Sequence, residues 1–313
     1  FSGVESEWSD IDVSQNSGVS VKAERTFVST QKQPGNGHGY PGEVTLLDEN
    51  QYATYNVYLD KADRLALYAD WYILHNGLSD SEVIITLNDK VVSERSSLKA
   101  EWRNESDEFA KDSYGNEIVP TQTKIEEWAG GYLYEYNFAT VLPPVYEFKA
   151  GLNTITVTVN NGGEFLLGDL YVKSVGLPDV YDDYIKSVGG ENGKGVYTVE
   201  AEAVERKNTI SAIPASSTSA SVTPYDTYAS VLNTISGFDS PDQILTYKVN
   251  AETDGLYNIS FNYKNGNSNR TAYLQVFVDG QTPFRELLRY PLIENGGFEK
   301  HTLGRDGKNF CIY

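Results

Sequence analysis

The sequence predicts an all-β chain of two tandem β-sandwich domains, the second truncated, and three observations predict it. Helical periodicity is nearly absent, with apolar residues at i, i+3, i+4 and i+7 only over residues 180–188 (VYDDYIKSV). Strand-like alternation recurs along the rest of the chain. The alternating segments also occur twice, in the same order.

The strands come in sequence as follows. Residues 54–59 read TYNVYL and 65–73 read LALYADWYI. Residues 82–87 read EVIITL and run into a turn at Asn88-Asp89. Residues 154–159 read TITVTV and end on Asn160-Asn161-Gly162-Gly163, and 165–175 read FLLGDLYVKSV. In the second half, 244–249 read ILTYKV, and 256–263 (LYNISFNY) follow the turn Asp254-Gly255. Residues 271–278 (TAYLQVFV) end on the turn Asp279-Gly280. Tyr, Phe, Val, Ile and Thr dominate these segments, which suits pleated, half-buried surfaces.

The repeat is explicit. At an offset of 192, Thr54-Tyr55, Val57, Leu65, Leu67 and Trp71 meet Thr246-Tyr247, Val249, Tyr257, Ile259 and Tyr263. At 191, Val83, Ile85 and Leu87 meet Leu274, Val276 and Val278. Upstream, at 178, residues 21–24 (VKAE) meet 199–202 (VEAE). The matched positions alternate, so they form one core face of each strand. This divides the chain into an N-terminal extension (1–18), a first sandwich (19–175) with a long insertion (93–144), a linker (176–195) and a second sandwich (196–313). Residues 310–313 match the 145–148 strand, and no counterpart of 154–175 follows. The second sandwich is therefore expected to be incomplete at its C-terminal end, and the whole polypeptide to carry further domains.

Charge narrows the partners. Lys and Arg total 25 against 44 Asp and Glu, a net charge of −19. Nucleic acid and anionic membrane both need a positive footprint, so neither is expected. No apolar run reaches the roughly 18 residues of a membrane span. Cys311 is the single cysteine, so the domains stand without an intrachain disulfide. His38, His75 and His301 are scattered without metal-ligand spacing. There is no Gly-rich phosphate loop before a helix and no nucleophile elbow. The expectation is a protein that is not an enzyme.

Binding chemistry points to the insertion. Pyranose faces stack on aromatic rings while polar side chains pair with the hydroxyls. Trp102, Arg103, Tyr114, Asn116, Trp128, Tyr132, Tyr134 and Tyr136 lie within one excursion, where a long loop on a rigid scaffold can build a site. Trp102, Arg103, Tyr114, Trp128 and Tyr134 are the sugar-contact candidates; packing of the insertion onto the sandwich is the competing role. In the second half, Asn265 and Arg270 join them from a hairpin, and Tyr225, Tyr228, Asn233 and Phe238 occupy a loop.

Several strings carry a family resemblance. Residues 197–202 (YTVEAE), 254–257 (DGLY), 263–266 (YKNG) and 278–280 (VDG) resemble carbohydrate-binding modules of families 6 and 35, jelly-roll sandwiches related to galactose-binding domains. A wider resemblance covers 19–313. Residues 112–122 (DSYGNEIVPTQ) with Trp128, residues 278–286 (VDGQTPFRE), Tyr181 and Tyr184 are similar to a tandem region of large Gram-positive extracellular solute-binding proteins of carbohydrate ABC importers. The chain departs from that pattern with Phe238 and Tyr247 in place of tryptophans.

The resemblance implies a glycan ligand and a secreted or bacterial cell-surface location, lipoprotein-anchored in the intact protein. It also implies a structural calcium. In the second half the ligands would be Glu200 and Glu202, two apart on a first strand and so on one face. In the first half they would be Glu24 with Asp169 on the last strand. There Lys22 would take the metal's place and pair with Glu24 or Asp169. The function expected is a glycan-binding accessory region; a ligand-free spacer and a protein–protein adhesion module are the alternatives.

Overall fold

The computed structural model describes residues 17–135, 141–264, 271–292, 299–303 and 311–312, the last two stretches as backbone alone. In the first half the strands are β1 (Ser20–Lys22), β2 (Glu24–Val28), β3 (Thr45–Leu47), β4 (Tyr52–Leu59), β5 (Asp63–Ile73), β6 (Ser81–Leu87) and β7 (Lys90–Leu98). They continue with β8 (Trp102–Asn104), β9 (Gln122–Lys124), β10 (Ala129–Tyr132), β11 (Tyr146–Phe148), β12 (Gly151–Asn161) and β13 (Phe165–Lys173).

Two antiparallel sheets form a sandwich. One runs β1-β13-β5-β10, with β3 also on β13 and β11 on β5; the other runs β2-β4-β12-β6-β7. The alternation read from the sequence is what closes them. Leu65, Leu67, Ala69, Trp71 and Ile73 of β5 point into one core together with Tyr55, Val57, Val83, Ile85, Ile155 and Val157 from the facing sheet. The threonines between the β12 core residues lie on the outer face, half-buried. Asn88 and Asp89 both take positive φ (49° and 65°), the two-residue turn that suits a twisted hairpin, and so join β6 to β7. Gly162 has φ of 100°, and a Cβ there would lie 2.2 Å from the Asp80 carbonyl oxygen, so only glycine fits.

The stretch after residue 93 is more ordered than a loop. β7 first runs on to Leu98 along β6, and β10 returns to pair with β5. Between them, β8 and β9 form a hairpin in a further sheet, with Trp102 of β8 packed into the sandwich core. Trp102 of β8 pairs with Lys207, and the strand Arg206–Lys207 pairs in turn with Leu245–Thr246. One four-stranded sheet thus draws on both halves of the chain.

In the second half, the helical stretch expected over 180–188 is α1 (Tyr181–Val188). Tyr181, Tyr184 and Ile185 pack against Phe284 and Leu287, so this segment contributes to a core. The strand Tyr257–Tyr263 lies between Glu299–Leu303 and Cys311–Ile312. Ile312 pairs with Tyr257 as Tyr146 pairs with Leu65, which shifts the matching of 310–313 to 145–148 by one residue. The strand expected over 244–249 shortens to Leu245–Thr246, and that over 271–278 to Ala272–Leu274 before the Asp279-Gly280 turn.

Residues 197–202 correct an expectation, since no strand forms there. Instead, the Ala203 N–H donates to the Glu200 carbonyl (3.0 Å) in a turn. The physical reason is pairing: β1 is held by β13, whereas among the described residues no strand lies beside 197–202. Among the described residues, no helix is long and apolar enough to cross a membrane.

Candidate functional site

Among the described residues, the most exposed aromatics sit on two turns, one from each half. Asp112 accepts hydrogen bonds from the N–H groups of Tyr114 (2.8 Å) and Asn116 (2.9 Å) and from Asn116 Nδ2 (3.0 Å). A short acidic side chain followed by a glycine at positive φ is the sequence that makes such a turn, and Gly115 has φ of 86°. The bond from the Asn116 side chain, helped by the backbone N–H groups, holds the Asp112 carboxyl below its usual range. Asp226 does the same, accepting from the N–H of Tyr228 (2.7 Å) and of Ala229 (3.1 Å), and the Tyr228 bond leads in lowering its carboxyl.

Each turn throws a tyrosine outward: Tyr114 is 85% exposed and Tyr228 is 97% exposed. The turns are braced against each other. The Glu117 N–H donates to the Ser230 carbonyl, the Ser230 N–H to Asn116 Oδ1, and the Leu232 N–H to Glu117 Oε2, each at 2.8 Å. A Cβ on Gly115 would lie 3.9 Å from the Ala229 Cβ, so the turns touch. Tyr225 is also exposed, on the same loop as Tyr228. Rings held outward on a braced frame can stack on the apolar face of a ligand, and the phenols add donors and acceptors.

The other predicted contacts divide. Trp102 is 7% exposed and belongs to the sandwich core. Its place in a β-ladder between Lys124 and Lys207 explains why its ring packs inward. Arg103, next to it, faces solvent. Trp128 is half-buried; its Nε1–H donates to the carbonyls of Gly37 and His38 (both 3.2 Å), and its ring centroid lies 4.3 Å from that of Tyr40. Tyr132 meets Tyr68 edge-on at 5.5 Å. Both rings fasten the insertion to the outer face of the first sheet. Tyr134 is half-buried, and desolvation pushes its phenol up. Asn233 ties its own loop, accepting from the Ser217 N–H (2.7 Å) and donating to the Pro224 carbonyl (2.8 Å). Tyr136, Asn265 and Arg270 lie outside the described residues.

The metal candidates do not converge. Lys22 Nζ lies 2.6 Å from Asp169 Oδ1, so the ammonium takes the place a cation would have beside that carboxylate. The hydrogen bond it donates to Asp169 holds the Lys22 ammonium above its ordinary value. Glu24 and Glu200 face solvent. Glu202 is 5% exposed, and its Oε2 has no hydrogen-bond partner; desolvation, then the charges of Glu200 and Glu117, push its carboxyl up. Among the described residues, no three carboxylates, imidazoles or thiols gather to hold a metal ion. Residues 197–202 are not a strand and Lys22 holds Asp169, so neither the Glu200 and Glu202 pair nor Glu24 with Asp169 is gathered with further donors among the described residues.

One serine–histidine pair bears on catalysis. His75 Nδ1 accepts the Gly77 N–H (3.1 Å), so the ring proton sits on Nε2, which donates to Ser81 Oγ (3.1 Å). The imidazole is thus a donor to this serine and cannot act as its base, and Ser81 is fully buried.

No family model matches the chain, and no curated protein matches it. Solved structures do. A family 35 carbohydrate-binding module from Clostridium thermocellum matches at 17% identity and a TM-score of 0.27, over 52% of this chain and 96% of that one. A GH26-CBM35 β-(1,4)-mannanase from Podospora anserina matches at 15% identity and a TM-score of 0.31, over 57% of this chain and 37% of that one. The catalytic domain of a GH87 α-1,3-glucanase in complex with nigerose matches at 12% identity and a TM-score of 0.29, over 61% of this chain and 32% of that one. The fold assignment rests on the sheet topology and not on these likenesses.

Proposed function

We propose that this chain is a non-catalytic glycan-binding region of an extracellular, surface-anchored bacterial protein, and that Tyr114 and Tyr228 are its sugar-stacking rings. One observation carries the reading: two tyrosines, 85% and 97% exposed, stand on adjacent turns that hydrogen bonds brace across the two halves. Large apolar rings left in water do nothing for folding, whereas a fixed pair of rings binds a sugar with little loss of side-chain freedom. The resemblance of 254–257, 263–266 and 278–280 to carbohydrate-binding modules supports the same reading.

The test is retention of the full chain on a panel of insoluble and soluble polysaccharides. At least one should retain it. Tyr114→Ala and Tyr228→Ala should each weaken retention about fivefold, since a stacked ring contributes about 1 kcal/mol. Stability should change by less than about 0.5 kcal/mol, because both rings stand largely in water. Absence of retention by the unmodified chain across the panel sinks the proposal. The braced junction favours a rigid spacer as the second reading, and a spacer would give that negative result.

A further inference from the structure

We infer that the first sandwich holds a second ligand site, a cleft between β1, β2 and β13 that takes one neutral, pyranose-sized polyol. The cleft lies where the chain crosses from one sheet to the other at Ala23, whose N–H donates to the Leu170 carbonyl (2.8 Å). It is an open cleft of about 480 Å³, within the range of small-ligand pockets. The inference rests on the glycan reading for its ligand class, but on other residues.

The lining sets donors beside acceptors. Lys22 Nζ pairs with Asp169 Oδ1 (2.6 Å) on one wall, and Arg25 Nη2 pairs with Glu43 Oε2 (3.0 Å) on another. A sugar hydroxyl both donates and accepts, so a vicinal pair of hydroxyls matches an ammonium or guanidinium next to a carboxylate. Tyr55 lines the same cleft. It is almost wholly buried, and although Thr45 and Arg25 lie close, its hydroxyl makes no hydrogen bond of good geometry. Buried hydroxyls are rarely left unpaired, so this one marks a position for a ligand atom. Burial also pushes the Tyr55 phenol up to about 12, which keeps it a donor at all physiological pH.

Charge selects against other ligands. Two cations, Lys22 and Arg25, face three carboxylates, Glu24, Glu43 and Asp169, a balance of −1. An anion is therefore disfavoured, and the Lys22 ammonium opposes a divalent cation beside Asp169.

The experiment is saturation-transfer NMR on the full chain with D-glucose, D-galactose, D-mannose and D-xylose as separate probes. Sodium glutamate and calcium chloride are titrated in parallel by calorimetry. At least one sugar should bind. Tyr55→Phe should weaken that binding at least tenfold without lowering Tm, because it removes an unpaired hydroxyl from the interior. Asp169→Asn should weaken it similarly. These comparisons are made in the Tyr114→Ala/Tyr228→Ala background, where sugar binding should persist, which separates this site from the exposed tyrosines. Absence of transfer to all four sugars overturns the inference. So does sugar binding in that background that survives Tyr55→Phe, or glutamate or calcium binding that Asp169→Asn removes.

Discussion

Replacing Lys207 with methionine should stabilise this protein at neutral pH and lose that advantage in alkali. Lys207 is 1% exposed, in the strand between Trp102 and Leu245 that joins the two halves. Its Nζ donates to the Ala212 carbonyl, and among the described residues no carboxylate lies within ion-pairing distance of it. Burial lowers its pKa from 10.5 to about 8. The difference, 10.5 less about 8, is about 2.5 units. At about 1.36 kcal/mol per unit, the buried ammonium costs on the order of 3 kcal/mol at pH 7.

The sign follows from proton binding. Between about pH 8 and 10.5 the unfolded chain holds the proton that the folded chain has released, so stability rises with pH across that window. Below about pH 8 the full cost is present. Methionine keeps the length and apolar stem but strands the Ala212 carbonyl, a loss of roughly 1 kcal/mol. The net gain at pH 7 is then about 2 kcal/mol, or several degrees in Tm. Thermal melts at pH 7, 9 and 10 measure it: the gap between variant and parent should narrow across the series and reverse near pH 10. A methionine variant that is less stable at pH 7, or a gap that ignores pH, would refute the argument that a desolvated ammonium sits there.

Three further outcomes are expected. Arg206 bonds Glu101 Oε2 (2.7 Å) and Glu127 Oε2 (3.0 Å), so Arg206→Ala should cost about 1–2 kcal/mol, and less in 1 M salt, as read from Tm at two ionic strengths. The Glu202 carboxyl is held above its ordinary value, so it adds stability only at low pH and detracts as pH rises. Glu202→Gln should therefore raise Tm at pH 7 and have no such effect at pH 4, and a calcium-dependent fall in Tm instead would restore the calcium reading. Gly162→Ala should destabilise by more than about 2 kcal/mol in a denaturant melt, because both the positive φ and the Asp80 carbonyl exclude a Cβ.

Residues 154–159 show how far sequence alone reaches. Inward Ile155, Val157 and Val159 and outward threonines follow from the two-residue period of a strand, which is local chemistry. The turns at Asn88-Asp89 and Asp279-Gly280 were legible for the same reason: few residue types tolerate positive φ. Residues 197–202 were misread as a strand, because a strand needs a partner and no local pattern reports one. Trp102 and Tyr114 look alike as aromatics of one insertion, yet the first is core and the second stands in water. Arg25 and Glu43 gave no signal at all, and Tyr55 only that of a polar tip at an inward position.

What the sequence by itself determined is therefore the long strands of the first sandwich, their inward faces and the tight turns, since each depends on neighbours within a few positions. The tertiary structure alone decided which aromatics are exposed and that β8 pairs with Arg206–Lys207 across the halves. It also decided between the two carboxylates open to Lys22, which pairs with Asp169 and not with Glu24. These outcomes depend on contacts between residues far apart in the chain, set by packing that no short-range period encodes.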